Sequence, residues 1–252
     1  MSTEKKDGFD SVLPSTYKEL KDIGVTIDEY YDALKEMDKR IEDSVRFYLL
    51  ATKLKYKIRS GWDSKHWNVT NERIESIAEH VYGTSILAIS LKYGCNLDVD
   101  MEKVLKMLAI HEIGEVLIGD ITPYDNVTPQ EKEEIEHKAM MGVLGEIAGK
   151  EELFSLLLEF DGHETKEAKF AYLCDKLEAD IQAKVYQDRG EQRSLDDQEG
   201  NIVMNFSKIQ EVINNGAETV FDVWYETDKS KYVESPVFAR TLEIVKDNNT
   251  NI

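Results

Sequence analysis

Residues 100–120 read DMEKVLKMLAIHEIGEVLIGD, and this stretch decides the fold. Val104, Leu105, Leu108 and Ala109 recur at the three- and four-residue steps of a helix that buries one face. The pattern predicts a helix from about Asp100 to Ile118, ended by Gly119. It carries His111 and Glu112, then Glu115, and Asp120 lies just past its end. Neighbouring side chains point about 100° apart around a helix. His111 and Glu112 therefore meet at one point only if a helix end lies against it. Glu115 falls four residues after His111 and three after Glu112, on the same side as the pair.

Moving outward, the same periodicity predicts helices on both sides. Tyr31, Leu34, Met37, Ile41, Val45 and Leu49 mark one from about Ile27 to Ile58, stopped at Ser60-Gly61. Ile74, Ile77, Ala78, Val81, Ser85, Ala88 and Leu91 mark a second over Glu72–Lys92. Thr128-Pro129-Gln130-Glu131 combines an N-cap, proline in the first turn and a capping-box glutamate, and opens a helix to about Ala148. A short helix over Leu153–Glu159, a long one over Thr165–Gln187, and two more over Ser207–Tyr225 and Pro236–Lys246 follow. Period-two alternation is nowhere sustained, so the chain reads as all-α. Residues 1–25 are polar and weakly patterned, which predicts a loose tail.

Composition narrows the partners. Among 252 residues, 31 basic side chains face 50 acidic ones, a net charge of −19 that repels nucleic-acid backbones and anionic membranes. It repels phosphate esters as well, so a phosphate substrate requires a metal or a placed arginine to reverse the local charge. Cys95 and Cys174 form no CxxC pair, and no apolar run is long enough to span a bilayer. The expectation is a soluble cytoplasmic protein.

Two further residues join the central cluster by type. His80 follows Arg73-Ile74-Glu75-Ser76-Ile77-Ala78-Glu79, and Asp175 stands among Phe170, Leu173 and Leu177 on the long helix. Two imidazoles with two carboxylates suit a divalent cation that keeps an open position. A charged edge is equally the ordinary solvated face of a helix, and a lone histidine on an apolar stripe is equally a core residue. A carboxylate at Asp175 is costly to bury unless it is paired or metal-bound. His66, His137 and His163 fall in polar contexts that predict a surface position. Arg59-Ser60-Gly61-Trp62 offers a fork for a phosphate and an aromatic wall, or simple packing.

Taken together, these motifs resemble the HD-domain phosphohydrolases, in particular the branch containing the 5′-deoxynucleotidases. The likeness runs from about Lys55 to Gln187, through Arg59-Ser60-Gly61-Trp62, Glu75–His80, Ile110–Glu115 with Gly119-Asp120-Ile121-Thr122-Pro123, and Glu167–Phe170 leading to Asp175–Glu178. It implies a single HD-domain helical bundle over 51–190, with an N-terminal tail and helical extension over 1–50 and a C-terminal helical extension over 191–252 packed on the core. It implies that His80, His111, Glu112 and Asp175 bind one divalent metal ion (Mn, Co, Fe, Mg or Zn). Glu115 and Asp120 would be the catalytic acids, with Arg59 and Trp62 contacting the phosphate and sugar.

The chain departs from the family pattern at Glu112, where the name-giving Asp is replaced by a carboxylate one methylene longer. The implied reaction is hydrolysis of 2′-deoxynucleoside 5′-monophosphates to nucleoside and phosphate by a homodimer. The alternatives are another phosphate ester (a nucleoside triphosphate, an alarmone or a phosphodiester) or a nucleotide-binding module impaired at Glu112.

Overall fold

In the computed structural model, residues 26–70, 73–125 and 127–250 are described; the tail expected over residues 1–25 lies outside them. The described residues are helical, with one isolated antiparallel bridge between Ile58 and Ser76 and no strand. The α-helices are α1 (Ile27–Ala51), α2 (Ile77–Gly94), α3 (Met101–Ile110), α4 (Glu115–Ile118), α5 (Pro129–Leu144), α6 (Lys150–Gly162), α7 (Lys166–Asp188), α8 (Ser207–Asn214), α9 (Val220–Asp228) and α10 (Pro236–Asp247).

Local chemistry explains where most of these helices begin. Thr26, Ser76, Thr128 and Thr219 each cap a helix in a reciprocal box with Glu29, Glu79, Glu131 and Asp222. Asp100 and Thr165 cap α3 and α7 with their side chains alone. The predicted start of α5 and both ends of α7 agree with the structure to within a residue.

Five of the differences from the periodicity reading have a tertiary or backbone reason. Helix α1 stops at Ala51 rather than near Ile58, and Thr52–Tyr56 tightens into a 3₁₀ turn. Beyond it the backbone extends to pair with the segment before α2: Arg59 N donates to Glu75 O at 2.9 Å, and Ile77 N to Lys57 O at 2.8 Å. That pairing also moves the start of α2 from Glu72 to Ile77, and the buried line on α2 is Ile77, His80, Thr84, Ala88 and Leu91. The single helix expected over 100–118 is two, broken by a turn at His111–Gly114. At Gly114 a Cβ would sit 3.0 Å from Glu136 O, so the glycine admits the backbone of α5. Helix α5 ends at Leu144 because Gly145 adopts φ +58°, and Gly216 at φ +107° divides the helix expected over Ser207–Tyr225 into α8 and α9.

Helix α7 is the central element. Phe170, Ala171, Cys174 and Leu177 pack with Val104, Met107 and Leu108 of α3 and with Phe238 and Leu242 of α10. Further along α7, Ala183 and Tyr186 join a second cluster of Trp62, Trp67, Val203, Ile209, Phe221 and Val223. A third cluster unites Leu54, Ile77, Ile110 and Ile113 with Met140, Val143 and Leu144 of α5. Much of the stripe predicted on α1 stays outside these cores: Met37, Ile41, Val45 and Leu49 are exposed.

Candidate active site

Helix α2 supplies His80, which is completely buried. Its Nδ1 lies 2.6 Å from Glu178 Oε2 on α7, so its Nε2 turns the other way, to within 2.9 Å of Asp175 Oδ1. A Cβ at Gly83, one turn beyond His80, would collide with the Glu178 carboxylate, so the absence of a side chain there lets Glu178 reach α2. Glu178 lies three residues after Asp175 and therefore shares its face. Neither Glu178 nor Gly83 is a candidate in the sequence reading; Glu178 carries the three-residue spacing from Asp175, whereas the role of Gly83 depends on a contact made only by folding.

His111 and Glu112 occupy the first positions after α3 ends at Ile110, which is the helix end that the adjacent pair required. His111 Nδ1 donates to Leu108 O at 2.8 Å, fixing Nε2 as the free lone pair. That Nε2 is buried without a hydrogen-bond partner. It stands 3.6 Å from Glu112 Oε1 and 3.7 Å from Asp175 Oδ1, beyond hydrogen-bond range. His80, His111, Glu112 and Asp175 each present one ligand atom, all within 4.8 Å of one another. A stranded imidazole nitrogen facing two carboxylates, with the second imidazole backed by its own carboxylate, fits a divalent cation. A second group, Glu75, His80 and Glu178, gathers on the Nδ1 side of His80 and serves as its support.

Electrostatics in the cluster follow from burial. Desolvation and Arg59 oppose a charged His80, but Glu178 and Asp175 outweigh them and raise it to about 10. Burial opposes ionisation of Glu112, yet His111, Arg59 and His80 draw it down to about 2. Asp175, likewise buried, is held well below its usual range by Lys176, whose Nζ is 2.8 Å from its Oδ2, and by both imidazoles. Glu115 behaves oppositely: burial, then Glu112 and Asp120, push it well above the usual carboxylate range. Its Oε2 has no hydrogen-bond partner.

Arg59 and Asp120 are tied together at the rim. Arg59 Nη1 lies 2.9 Å from Glu112 Oε1 and 3.6 Å from Asp120 Oδ2. Ser60 N donates to the same Asp120 oxygen at 2.9 Å, and Ser60 Oγ to Asp120 O at 3.0 Å. Trp62 is 2% exposed; its Nε1 donates to Glu75 and its ring stacks on Trp224 at 4.9 Å. Arg59, Trp62, His111, Glu112, Glu115, Asp120 and Asp175 line one cavity of about 530 Å³.

Of the three histidines expected at the surface, only His66 is buried, while His137 and His163 are partly exposed and engaged with neighbours. His66 is buried, with Nδ1 2.8 Å from Asp63 and Nε2 3.2 Å from Thr122 Oγ1. His137 pairs with Asp161 at 2.8 Å, and His163 packs on Tyr172. Polar neighbours in sequence concealed these contacts because the partners of His66 and His163 include residues brought close only by folding.

A family model described as HD domain matches residues 51–218. The chain belongs to the HD-domain family. The chain is 31% identical over 150 residues to 5′-deoxynucleotidase HDDC2 of Dictyostelium discoideum, covering 57% of this chain and 77% of that protein. It is 33% identical over 150 residues to 5′-deoxynucleotidase hdd1 of Schizosaccharomyces pombe, covering 57% and 72%. A conserved hypothetical protein from Pyrococcus furiosus has a similar structure, with a TM-score of 0.54 and 26% identity over 81% of this chain and 99% of its own. A predicted metal-dependent phosphohydrolase from Magnetospirillum magnetotacticum shares the HD-domain fold, with a TM-score of 0.57 and 22% identity over 82% and 94%.

Proposed function

We propose that the chain is a metal-dependent 5′-deoxynucleotidase, which hydrolyses 2′-deoxynucleoside 5′-monophosphates to nucleoside and inorganic phosphate. The observation that carries this reading is the buried, partnerless Nε2 of His111 facing Glu112 and Asp175, beside Arg59 and Glu115 in one cavity. His80, His111, Glu112 and Asp175 would hold the cation, which supplies Lewis acidity at the phosphoryl group and makes a nucleophile available near neutral pH. The relatives' names support the substrate class.

In this reading Arg59, steadied by Glu112 and Asp120, forks onto the phosphate and offsets its charge. Glu115, whose proton affinity is raised by burial and two neighbouring carboxylates, accepts the proton of the attacking water. Asp120, fixed by the Ser60 amide, orients the water or the leaving oxygen. Attack forms one P–O bond as the P–O5′ bond breaks, and the proton that Glu115 took from the water passes to O5′ as the nucleoside leaves, which restores the Glu115 carboxylate. Trp62 would restrict the space at the 2′ position from its buried seat against Trp224.

Residues 51–190 carry the catalytic groups, and Trp224 of α9 contributes to the cavity wall. No helix of the described residues is long and apolar enough to cross a membrane. We assign the exposed stripe of Met37, Ile41, Val45 and Leu49 to a homodimer contact, testable by sedimentation. The function is tested by phosphate release from a panel of deoxy- and ribonucleoside 5′-monophosphates, using chelator-stripped protein resupplied with Mn, Co, Mg or Zn. Metal-dependent release favouring the deoxy forms is expected. No release with any metal would point first to another phosphate ester as substrate and then to the impaired binding module.

A further inference from the structure

The cavity over the ligand cluster continues into a side chamber of about 310 Å³. The two share Arg59, Asp175, Lys176 and Trp224, so a molecule anchored at the cluster can extend into the chamber. Its further wall is built by Val223, Thr227 and Asp228 of α9, all beyond residue 218, where the family match ends. Trp224 is a rigid platform: its ring stacks on Trp62 at 4.9 Å and 27°, and Trp62 is in turn braced edge-on by Tyr186.

Two residues that line this wall each carry a buried polar atom with no hydrogen-bond partner, Trp224 at Nε1 and Thr227 at Oγ1. The two residues are three apart, on one face of α9. A buried indole N–H or hydroxyl ordinarily finds a partner, so two unmet ones in the wall of one chamber mark where a ligand's polar atoms fit. Aromatic walls with few, fixed polar groups are how proteins hold flat heterocycles.

We propose that this chamber is a nucleobase subsite, with Trp224 as its stacking wall and Trp224 Nε1 and Thr227 Oγ1 as its polar contacts. The assignment rests on the nucleotide reading above. The base lies in the chamber while the 5′-phosphate lies at Arg59 and the ligand cluster. Because an indole N–H only donates, the base presents an acceptor there, a carbonyl oxygen or a ring nitrogen.

The test separates base binding from hydrolysis. Thymidine and 2′-deoxyadenosine, which carry no phosphate, are titrated calorimetrically into wild-type protein, Trp224→Ala, Trp224→Phe and Thr227→Val, with thermal unfolding as the check on folding. Saturable binding that weakens about tenfold in Trp224→Ala, weakens less in Trp224→Phe and falls in Thr227→Val is expected. Nucleosides that do not bind the wild type, or bind Trp224→Ala equally well, would overturn the subsite. With phosphorylated substrates, the ratio of kcat/KM for thymidine 5′-monophosphate to that for 2-deoxyribose 5-phosphate should fall about tenfold in Trp224→Ala, and an unchanged ratio would overturn it too. If nucleosides bind through Trp224 but no substrate releases phosphate, the hydrolytic reading fails and the subsite stands.

Discussion

Substituting Glu178 by Gln tests whether the support behind a ligand sets the affinity of the whole site. Glu178 Oε2 is 2.6 Å from His80 Nδ1, with His80 wholly and Glu178 largely buried. A hydrogen bond to a charged group contributes about 1.5–3 kcal/mol, and losing such a partner behind a metal-bound histidine weakens affinity roughly 10–100-fold. The two ranges agree, since about 1.4 kcal/mol corresponds to a factor of ten. Glu178→Gln keeps the shape and removes the charge, so metal affinity should fall within that range while kcat largely returns at saturating metal. Glu178→Ala also leaves the His80 N–H unsatisfied and should lower stability by about 1–3 kcal/mol. Chelator competition measures the affinity and thermal unfolding the stability. Unchanged affinity in both folded variants would refute the argument that Glu178 orients His80 for metal.

Glu115→Gln should reduce kcat by roughly 10²–10⁴-fold with metal stoichiometry unchanged; full turnover would remove Glu115 from proton transfer. Trp62→Ala should destabilise the protein by about 3–5 kcal/mol on thermal unfolding, because the ring is buried between Trp224 and Tyr186. It should also narrow the preference for deoxy over ribo substrates, and an unchanged ratio would exclude Trp62 from sugar selection. His80 is raised from 6.5 to about 10, so its charge stabilises the metal-free protein fully below about 6.5, and that stabilisation is lost as pH rises through about 10. Metal requires the neutral ring, so metal affinity should strengthen about tenfold per pH unit below that point. Calorimetry in buffers of different ionisation enthalpy should record the released proton, and no release between about pH 7 and 9 would contradict the assignment.

Part of the site was legible because its residues are marked by local chemistry. Thr128-Pro129 and Thr165 announce helix starts through their own backbone groups, and the apolar spacing of α7 made a carboxylate at Asp175 conspicuous. The adjacency of His111 and Glu112 demanded a helix end, and α3 supplies one at Ile110. The periodicity runs one helix through to Ile118 because the cause of the break is the backbone of α5 passing Gly114, a contact that no pattern within residues 100–120 contains.

Periodicity and capping act over a few neighbouring residues, and so the helical class, the capped helix starts and the residue types that gather at the cluster are legible along the chain. Tertiary structure alone decided which faces meet. His80 and Asp175 stand 95 residues apart in sequence yet 2.9 Å apart in space. The approach of Glu178 over Gly83, the burial of His66 against Thr122 and the seating of Trp224 on Trp62 likewise depend on how the helices pack. The physical reason is that a helix's own pattern states which side it buries, and only the packed neighbours fix what that side touches.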